Sequence, residues 1–261
     1  IKSSAASDVY KRQLLFLSMF DRNQKQRIAL GFFYKKTPFE KAKEYIKNDF
    51  ESKYQVPFRR KKLLDIIQRG GYRKILEIGC GMDPLAAYVE EFDEYTIVEP
   101  GKEFLENAKK VLHGRKKITY VYGYFEDKID EISQSAYDLI IVSSLLHEVD
   151  DPERLLNAVR AVSTTQTVVH INVPNACSIH RILAYEAGII PELKKLTERN
   201  RILQQNRVFD MESLEQLIGK TGRVEICEKG SYFVKPFSHA QMLKCVEPVS
   251  YTHLRAHETS L

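Results

Sequence analysis

The glycine turn at residues 75–83, ILEIGCGMD, constrains the fold more than any other stretch of the chain. An apolar run ends there in Glu77, which is followed by Gly79 and Gly81. A second apolar run, YTIVEP, ends in Glu99, 20 residues after Gly79. Strand, glycine turn, helix, strand and acid in this order are typical of a βαβ unit that holds an adenosine-containing ligand. The glycines let the backbone approach the ligand without a Cβ, and Glu99 can accept hydrogen bonds from both ribose hydroxyls.

The residues around the glycines narrow the choice of ligand. A dinucleotide site has a third glycine where this chain has Pro84, and a Walker loop needs Gly-Lys-Ser/Thr, which is absent. Glu77 inside the loop would repel a phosphate but attract a cationic ligand. S-adenosylmethionine carries an ammonium and a sulfonium group. The region resembles the class I S-adenosylmethionine-dependent methyltransferases, whose first motif reads Glu/Asp-x-Gly-x-Gly, and the resemblance implies S-adenosylmethionine as the cofactor.

The hydrophobic pattern predicts an α/β fold in which strands and helices alternate. The predicted strands are Lys74–Ile78, Tyr95–Val98, Ile118–Tyr122, Tyr137–Val142 and Thr167–Val173. The predicted helices run from Pro38 to about Ile67 with a break at Pro57, then over Leu85–Phe92, Lys102–Leu112, Asp151–Val162 and Met211–Lys220. This alternation implies a doubly wound, mostly parallel, Rossmann-like sheet with right-handed crossovers. The resemblance implies seven strands with the last antiparallel, and a predicted hairpin of Val224–Glu228 and Tyr232–Val234 fits that ending.

The alternation pauses after the fifth strand. Two helix-like stretches, Ile179–Ala187 and Pro191–Gln205, follow there and are placed to cover the ligand crevice as a helical lid. We therefore expect an N-terminal helical segment at 14–62 and a methyltransferase domain at 63–248, with the lid insertion at 176–207.

Both ends of the chain look unrelated to this domain. Ser3–Gln13 and Val249–Thr259 resemble translations of a transposase-type sequencing-library adapter. The adapter sequences that would encode the two peptides share a stretch related by reverse complementarity, which two unrelated peptides would hardly show by chance. We expect residues 1–13 and 249–261 to be adapter-derived tails and exclude them from the analysis of the fold.

Composition argues against several partners. The formal net charge is +5, and without the two tails it is +3, which calls for no nucleic-acid or membrane partner. Four cysteines occur without CxxC spacing, so neither a zinc site nor a disulfide framework is predicted, and a reducing cytoplasm is the expected compartment. Residues 14–20 are apolar but too short to span a bilayer. We expect a small-molecule substrate, whereas the oligomeric state is left open.

The resemblance implies a set of cofactor-binding residues along the carboxyl edge of the sheet. Gly79, Cys80 and Gly81 would shape the loop for the methionine moiety, with Glu77 facing its ammonium. Glu99 would hold the ribose and Pro100 would lie against the adenine. The loop after the third strand, GYFEDK, offers Phe125 or Glu126 for a further adenine contact, or may be ordinary loop structure. Ser143 and Leu145, after the fourth strand, would line the cofactor.

Candidate catalytic and substrate-binding residues lie after the fourth and fifth strands. His147, in SSLLHEVDDPERLL, is either a general base or a histidine that packs under the cofactor. The run from Asn175 to Arg181, NACSIHR, resembles a narrower subgroup of small-molecule methyltransferases often tied to saccharide or secondary metabolism. There His180 could act as base, and Asn175 and Arg181 would bind substrate together with Arg207 near the end of the lid. Each residue could instead only stabilise the start of the helix or the loop around it.

The predicted function is methyl transfer to an O or N atom of a small polar metabolite. RNA or protein methylation and a noncatalytic cofactor-binding domain remain alternatives. Amino-methyltransferases of nucleic-acid bases usually carry Asp/Asn-Pro-Pro-Tyr after the fourth strand, and Ser143-Ser-Leu-Leu146 differs from it. Metal-dependent catechol-type enzymes need an acid at that strand end, so no metal is predicted.

Overall fold

A computed structural model describes residues 50–246, except 133–134, 198–199, 202, 204 and 223, and gives no side chains for 240 and 244–246. Both predicted adapter-derived tails and most of the predicted N-terminal helical segment lie outside the described residues.

Five parallel strands form the sheet at the centre of the described region. They are β1 (Lys74–Ile78), β2 (Glu94–Glu99), β3 (Ile118–Tyr122), β4 (Leu139–Ser143) and β5 (Val168–Asn172). Their order is β3-β2-β1-β4-β5, and each neighbouring pair is parallel. The strand order reverses between β1 and β4, and this switch point opens a crevice at the carboxyl ends of both strands. The predicted doubly wound α/β fold is confirmed.

Seven helices accompany the sheet in the described region. They are α1 (Val56–Gly70), α2 (Lys102–Val111), α3 (Ile129–Ile132), α4 (Pro152–Val162), α5 (Ile179–Glu186), α6 (Met211–Gly219) and α7 (His239–Val246). Asp151 caps α4 by accepting a hydrogen bond from Arg154 N–H at 3.0 Å. Asp210 and Ser213 form a capping box at the start of α6. These caps confirm the predicted starts of both helices.

The central strands are apolar because both faces of the sheet are covered. Alternate residues of β1 divide between two cores. Ile75 packs with residues of α1 and α2 on one face, whereas Leu76 and Ile78 pack with α4 on the other. The same division runs through β2 and β4, so the helices hold the strand ends in fixed positions around the crevice.

The helix predicted at Leu85–Phe92 is wrong, because only Leu85–Ala87 is helical, as a single 3-10 turn. Arg115 is the physical reason. Its guanidinium donates hydrogen bonds to the carbonyl groups of Ala86 and Val89, both at 2.6 Å, and to that of Glu90 at 3.4 Å. The Ala86 carbonyl, which a helix at Leu85–Phe92 would pair with the N–H of residue 90, is thus taken by a side chain from the loop before β3.

The predicted hairpin after α6 is not formed, so the expectation of seven strands is not confirmed. Residues 224–234 contain no strand, and most of them are exposed. Glu228, which the sequence placed in a strand, instead forms ion pairs with Lys62 at 2.9 Å and Arg69 at 3.4 Å on α1. These two ion pairs connect the segment to α1.

Two predicted boundaries near α1 and α5 also differ. Pro57 does not break the first helix, because it lies in the first turn of α1, directly after a π-helical turn at Glu51–Gln55. The helix α1 runs across the predicted domain boundary between residues 62 and 63, and this boundary stays a prediction. The second lid helix, Pro191–Gln205, is not continuous, since residues 191–197 form turns and extended backbone. The first lid helix is present as α5.

Candidate functional site

The glycine turn lies at the carboxyl end of β1, beside the switch point. Gly79 and Gly81 both adopt positive φ angles, 78° and 56°, which side chains other than glycine rarely tolerate. A Cβ on Gly81 would meet no atom within 4 Å, and one on Gly79 would touch only Leu145, at 3.5 Å. The backbone of this turn therefore faces open space, as a loop that cradles a ligand must.

Glu99 is presented to the same space from the end of β2. Its side chain is 4% exposed, and burial raises the pKa of its carboxyl. One carboxylate oxygen accepts a hydrogen bond from Gly101 N–H at 2.8 Å, and the other from Gly81 N–H at 3.2 Å. Oε1 keeps a lone pair for a further hydrogen bond, whereas Oε2 also accepts a weak S–H hydrogen bond from Cys80 at 3.8 Å. A ribose diol would bind the free site on Oε1 and displace the weak S–H bond from Oε2, so this group fits an adenosine ligand.

Glu77 has a structural role at the base of the turn. Its carboxylate accepts hydrogen bonds from Leu85 N–H at 3.1 Å and from the Tyr95 hydroxyl at 2.9 Å. The residue is buried, and burial raises the pKa of its carboxyl to about 7. These bonds hold the 3-10 turn against β2. That Glu77 also faces the ammonium of the cofactor stays a prediction.

The remaining predicted cofactor residues differ in how they could meet a ligand. The Cys80 side chain is buried, its Sγ lies 3.8 Å from Glu99 Oε2, and burial raises the pKa of its thiol. Only its backbone could therefore line the turn. Pro100 and Glu126 are half-buried, whereas the Phe125 ring is packed into the core on the α4 face. The adenine contacts predicted for these three residues stay predictions.

The loop after β4 is fixed by a polar network that the sequence analysis missed. Ser144 adopts a φ of 54°, and its N–H and hydroxyl both donate to Asn172 Oδ1, at 3.1 and 3.0 Å. The Asn172 amide in turn donates to Ser143 Oγ at 2.9 Å. Arg59 on α1 donates to Ser144 Oγ at 3.0 Å. A polar residue at the end of β5, opposite two serines at the end of β4, was the available signal for this network.

His147 lies within the loop that follows this network. Its side chain is 4% exposed, with Nε2 at 3.6 Å from Glu148 Oε1. Its carbonyl accepts hydrogen bonds from the N–H groups of Asn206 and Arg207, at 2.8 and 3.3 Å. This position agrees better with packing than with proton transfer to an exposed substrate, although neither role is tested by the contacts.

The residues predicted to bind substrate are held by contacts of their own. Asn175 Oδ1 accepts from Cys177 N–H at 2.8 Å, and His180 Nδ1 lies 3.1 Å from Ser178 Oγ at the start of α5. Burial, aided by the charges of Lys235 and Arg181, lowers the pKa of His180 to about 4. The imidazole is therefore neutral near pH 7 and can accept a proton.

Arg181 and Arg207 both bind main-chain carbonyl groups. Arg181 donates to the carbonyl of Ala176 at 3.1 Å and to those of Leu193 and Lys195 in the segment after α5. Arg207 donates to the carbonyl of Asp150 at 3.1 Å. Both guanidinium groups thus tie down the segment that follows β5. The predicted contact with an anionic part of a substrate would have to be made by their remaining N–H groups, and it stays a prediction.

A cavity of about 640 Å³ lies between α6 and the segment from 194 to 209. Its lining is mostly polar and includes five basic residues, Lys194, Lys195, Arg201, Arg207 and Lys220. Asn206 and Arg207 also line it, and their N–H groups bind the carbonyl of His147. The cavity is therefore next to the loop that follows β4, on the side of Asn206 and Arg207.

Comparison with known proteins identifies the family. A family model described as a methyltransferase domain matches residues 39–223, which is more than half of the chain. The chain belongs to this methyltransferase family. Its enzymatic activity depends on S-adenosylmethionine, as predicted from the glycine turn and Glu99. No curated protein matches this methyltransferase in sequence.

Solved structures share the fold of this methyltransferase. The plantazolicin methyltransferase BamL, in complex with a triazolic desmethylPZN analog and SAH, is 13% identical with a TM-score of 0.52, over 69% of this chain and 67% of that chain. The plantazolicin methyltransferase BpumL is 16% identical with a TM-score of 0.50, over 74% and 72%. An S-adenosylmethionine-dependent methyltransferase from Thermotoga maritima is 21% identical with a TM-score of 0.43, over 58% and 64%.

The described residues contain neither a candidate membrane-spanning helix nor a candidate metal site. None of the described helices of this methyltransferase is long and apolar enough to cross a membrane. Nor do the described His, Cys, Asp and Glu residues form a group of three or more that could hold a metal ion.

Proposed function

We propose that this methyltransferase acts on an O or N atom of a small polar metabolite. The observation that carries the proposal is the cavity behind the loop after β4. Its volume of about 640 Å³ is in the usual range for small-molecule sites, and its lining combines apolar residues with asparagine, serine, glutamine and basic side chains, which favours a small polar acceptor. RNA or an intact protein would need an extended surface rather than a space of this size.

The residues at the carboxyl edge would hold the cofactor for an in-line displacement. When bound, S-adenosylmethionine supplies an electrophilic methyl group. The glycine turn would follow the methionine moiety, and Glu99 would accept the ribose hydroxyls, one at the lone pair that Gly101 leaves on Oε1 and one in place of the weak Cys80 S–H bond to Oε2. Ser143 and Leu145 would border the space between cofactor and acceptor. Alignment of the acceptor atom then supplies most of the rate enhancement, since such transfers depend chiefly on proximity.

The segment from 175 to 209 would exclude water from the reaction. Ala176 N–H donates to Phe209 O at 2.6 Å, and an isolated bridge joins Asn175 to Phe209, so the two ends of the segment meet. Arg181 binds the carbonyl groups of its middle part. A segment that is held by hydrogen bonds at its two ends and in its middle would cover the site in the same way before an acceptor binds.

His180 is the proposed base for an acceptor that must lose a proton. It is half-buried and neutral near pH 7, because its pKa is lowered to about 4. A base of this strength helps most when the proton leaves late, after positive charge has developed on the acceptor atom. An amine acceptor that reacts in its neutral form would not need the histidine at all.

A search for the acceptor tests the proposal. The protein would be incubated with cofactor labelled on its methyl group and, in separate reactions, with a metabolite extract, total RNA and a protein fraction. Label should pass into small molecules, and the labelled product should carry an O- or N-methyl group in its mass spectrum. Label found only in RNA or protein would contradict the proposal. Tight binding of S-adenosylhomocysteine with no labelled product in any fraction would indicate a noncatalytic domain.

A further inference from the structure

The helix α1 reaches across the switch point and brings a positive charge to it. Arg59, in the first turn of α1, donates a hydrogen bond from Nη1 to Ser144 Oγ at 3.0 Å. Ser144 directly follows β4, and the glycine turn directly follows β1. The guanidinium group is therefore at the crevice between the two strands where the order of the sheet reverses. It is half-buried, so its charge is only partly screened by water.

The oxygen that holds Arg59 is itself fixed. The Ser144 hydroxyl donates its proton to Asn172 Oδ1 at 3.0 Å and so presents only lone pairs to the arginine. Asn172 is 7% exposed and is anchored by further bonds to Ser143 Oγ and Ser144 N–H. A polar network that is satisfied in this way holds a rigid position, so the guanidinium is pre-organised before any ligand arrives.

A guanidinium group has five N–H donors, and the bond to Ser144 uses one of them. Within the described part of the chain, Arg59 forms this one hydrogen bond. The neighbouring Arg60 differs, because it donates to Asp83 at 2.7 Å and its guanidinium lies 3.7 Å from the centre of the Tyr88 ring. The next basic residue, Lys61, is paired with Asp65 on the exposed side of α1. Of these three cations, Arg60 and Lys61 are paired with carboxylates, whereas Arg59 is bound at the crevice by a serine hydroxyl.

The chemistry of the methionine moiety supplies the anion. Its α-carboxylate must be placed near the glycine turn, where the two acids Glu77 and Glu99 are already buried. A third carboxyl group would be repelled there unless a cation accompanied it. We propose that Arg59 binds the α-carboxylate of the cofactor through N–H groups not used by Ser144. This assignment deepens the cofactor site, and it rests on the cofactor lying in the crevice described above.

A ligand that lacks the carboxylate separates this role from a structural one. Titration calorimetry would measure the affinity of S-adenosylhomocysteine and of its decarboxylated analogue, in which a 3-aminopropyl group replaces the amino-acid part. Wild type should bind S-adenosylhomocysteine at least about tenfold more tightly, in line with a charge-assisted pair. Arg59→Gln should lose about 10- to 100-fold in affinity for S-adenosylhomocysteine and change less than about threefold for the analogue. Arg59→Lys should recover part of the loss, since lysine keeps the charge but not the planar fork.

Two controls make the outcome decisive. Lys61→Gln removes a positive charge from the same helix and should leave the affinities for both ligands unchanged. Ser144→Ala removes the tie between α1 and the loop but keeps Arg59, so most of the preference for S-adenosylhomocysteine should survive. The proposal is overturned if Arg59→Gln weakens both ligands equally, if it weakens neither, or if wild type does not distinguish them. Failure of wild type to bind S-adenosylhomocysteine at all would instead refute the cofactor site. Should Arg59→Gln not fold, as judged by thermal unfolding, Arg59→Lys decides the question, because a selective loss of affinity for S-adenosylhomocysteine supports the proposal and wild-type affinity for both ligands overturns it.

Discussion

Replacing Glu77 by glutamine should make the protein more stable at neutral and alkaline pH. The Glu77 carboxyl is buried between β1 and β2 and accepts hydrogen bonds from Leu85 N–H and the Tyr95 hydroxyl. An amide of the same shape can keep its oxygen towards Leu85 and donate from its nitrogen to the Tyr95 oxygen. The substitution therefore removes a buried charge, and its one cost is that the Tyr95 hydroxyl proton loses its acceptor.

The size of the effect follows from the raised pKa. Burial raises the pKa of Glu77 from 4.5 to about 7. Because the folded state holds this proton more tightly than the unfolded chain, the free energy of unfolding falls as the pH rises from 4.5 to 7. At about 1.4 kcal/mol for each tenfold change in proton affinity, the loss is about 3 kcal/mol above pH 7. Glu77→Gln should regain most of it, or about 2–3 kcal/mol once imperfect mimicry by the amide is allowed for.

Urea unfolding between pH 4.5 and pH 8, followed by circular dichroism without cofactor, measures this effect. The stability difference between Glu77→Gln and wild type should grow across the window and level off above pH 7. Glu106→Gln is the matched control, since that exposed glutamate pairs only with Lys109 on α2 and its loss should change stability by less than about 0.5 kcal/mol. A difference that stays constant with pH, or a variant less stable than wild type at pH 8, would refute the reasoning.

Four further variants test the site and its support. Gly101→Ala should destabilise the protein by about 1–3 kcal/mol in urea unfolding, because the added Cβ would lie 2.6 Å from a buried aromatic ring and 3.0 Å from the Glu99 carboxylate. Asn172→Ala should cost about 1–3 kcal/mol by the same measurement, since two serine hydroxyls lose their partner, and unchanged stability would contradict the network. His180→Ala should lower turnover strongly with little change in S-adenosylmethionine affinity, and equal turnover in this variant and wild type would exclude His180 as the base. His147→Ala should instead lower the unfolding temperature.

The sheet and the glycine turn could be predicted from the sequence because their signals are local. A strand covered on both faces must be apolar at nearly every position, and LIIVS in β4 shows this directly. The turn needs glycine at two positions of positive φ, and both are spelled out in ILEIGCGMD. The acid at the end of β2 follows from the register of the same βαβ unit.

The errors arose where distant residues decide the structure. The stretch after Pro84 has residues that a helix tolerates, but Arg115 binds its carbonyl groups from 29 residues beyond Ala86. In the same way, the sequence identifies Arg181 and Arg207 as cations near the site but not that main-chain carbonyls occupy part of each guanidinium. The sequence does not indicate the position of Arg59 either, since nothing local relates it to Ser144, 85 residues away.

The left-handed backbone at Ser144 has a consequence for how this enzyme can diversify. Two independent demands meet at that residue, because its φ of 54° favours small or amide side chains and its hydroxyl joins Asn172 to Arg59. In a library of all substitutions at this position, backbone shape should decide which variants fold. Glycine and asparagine would then survive and β-branched residues would fail, although threonine is the closest chemical relative of serine. Substitutions at this position are thereby restricted to the few residues that tolerate its torsion angles, whatever the chemistry of their side chains.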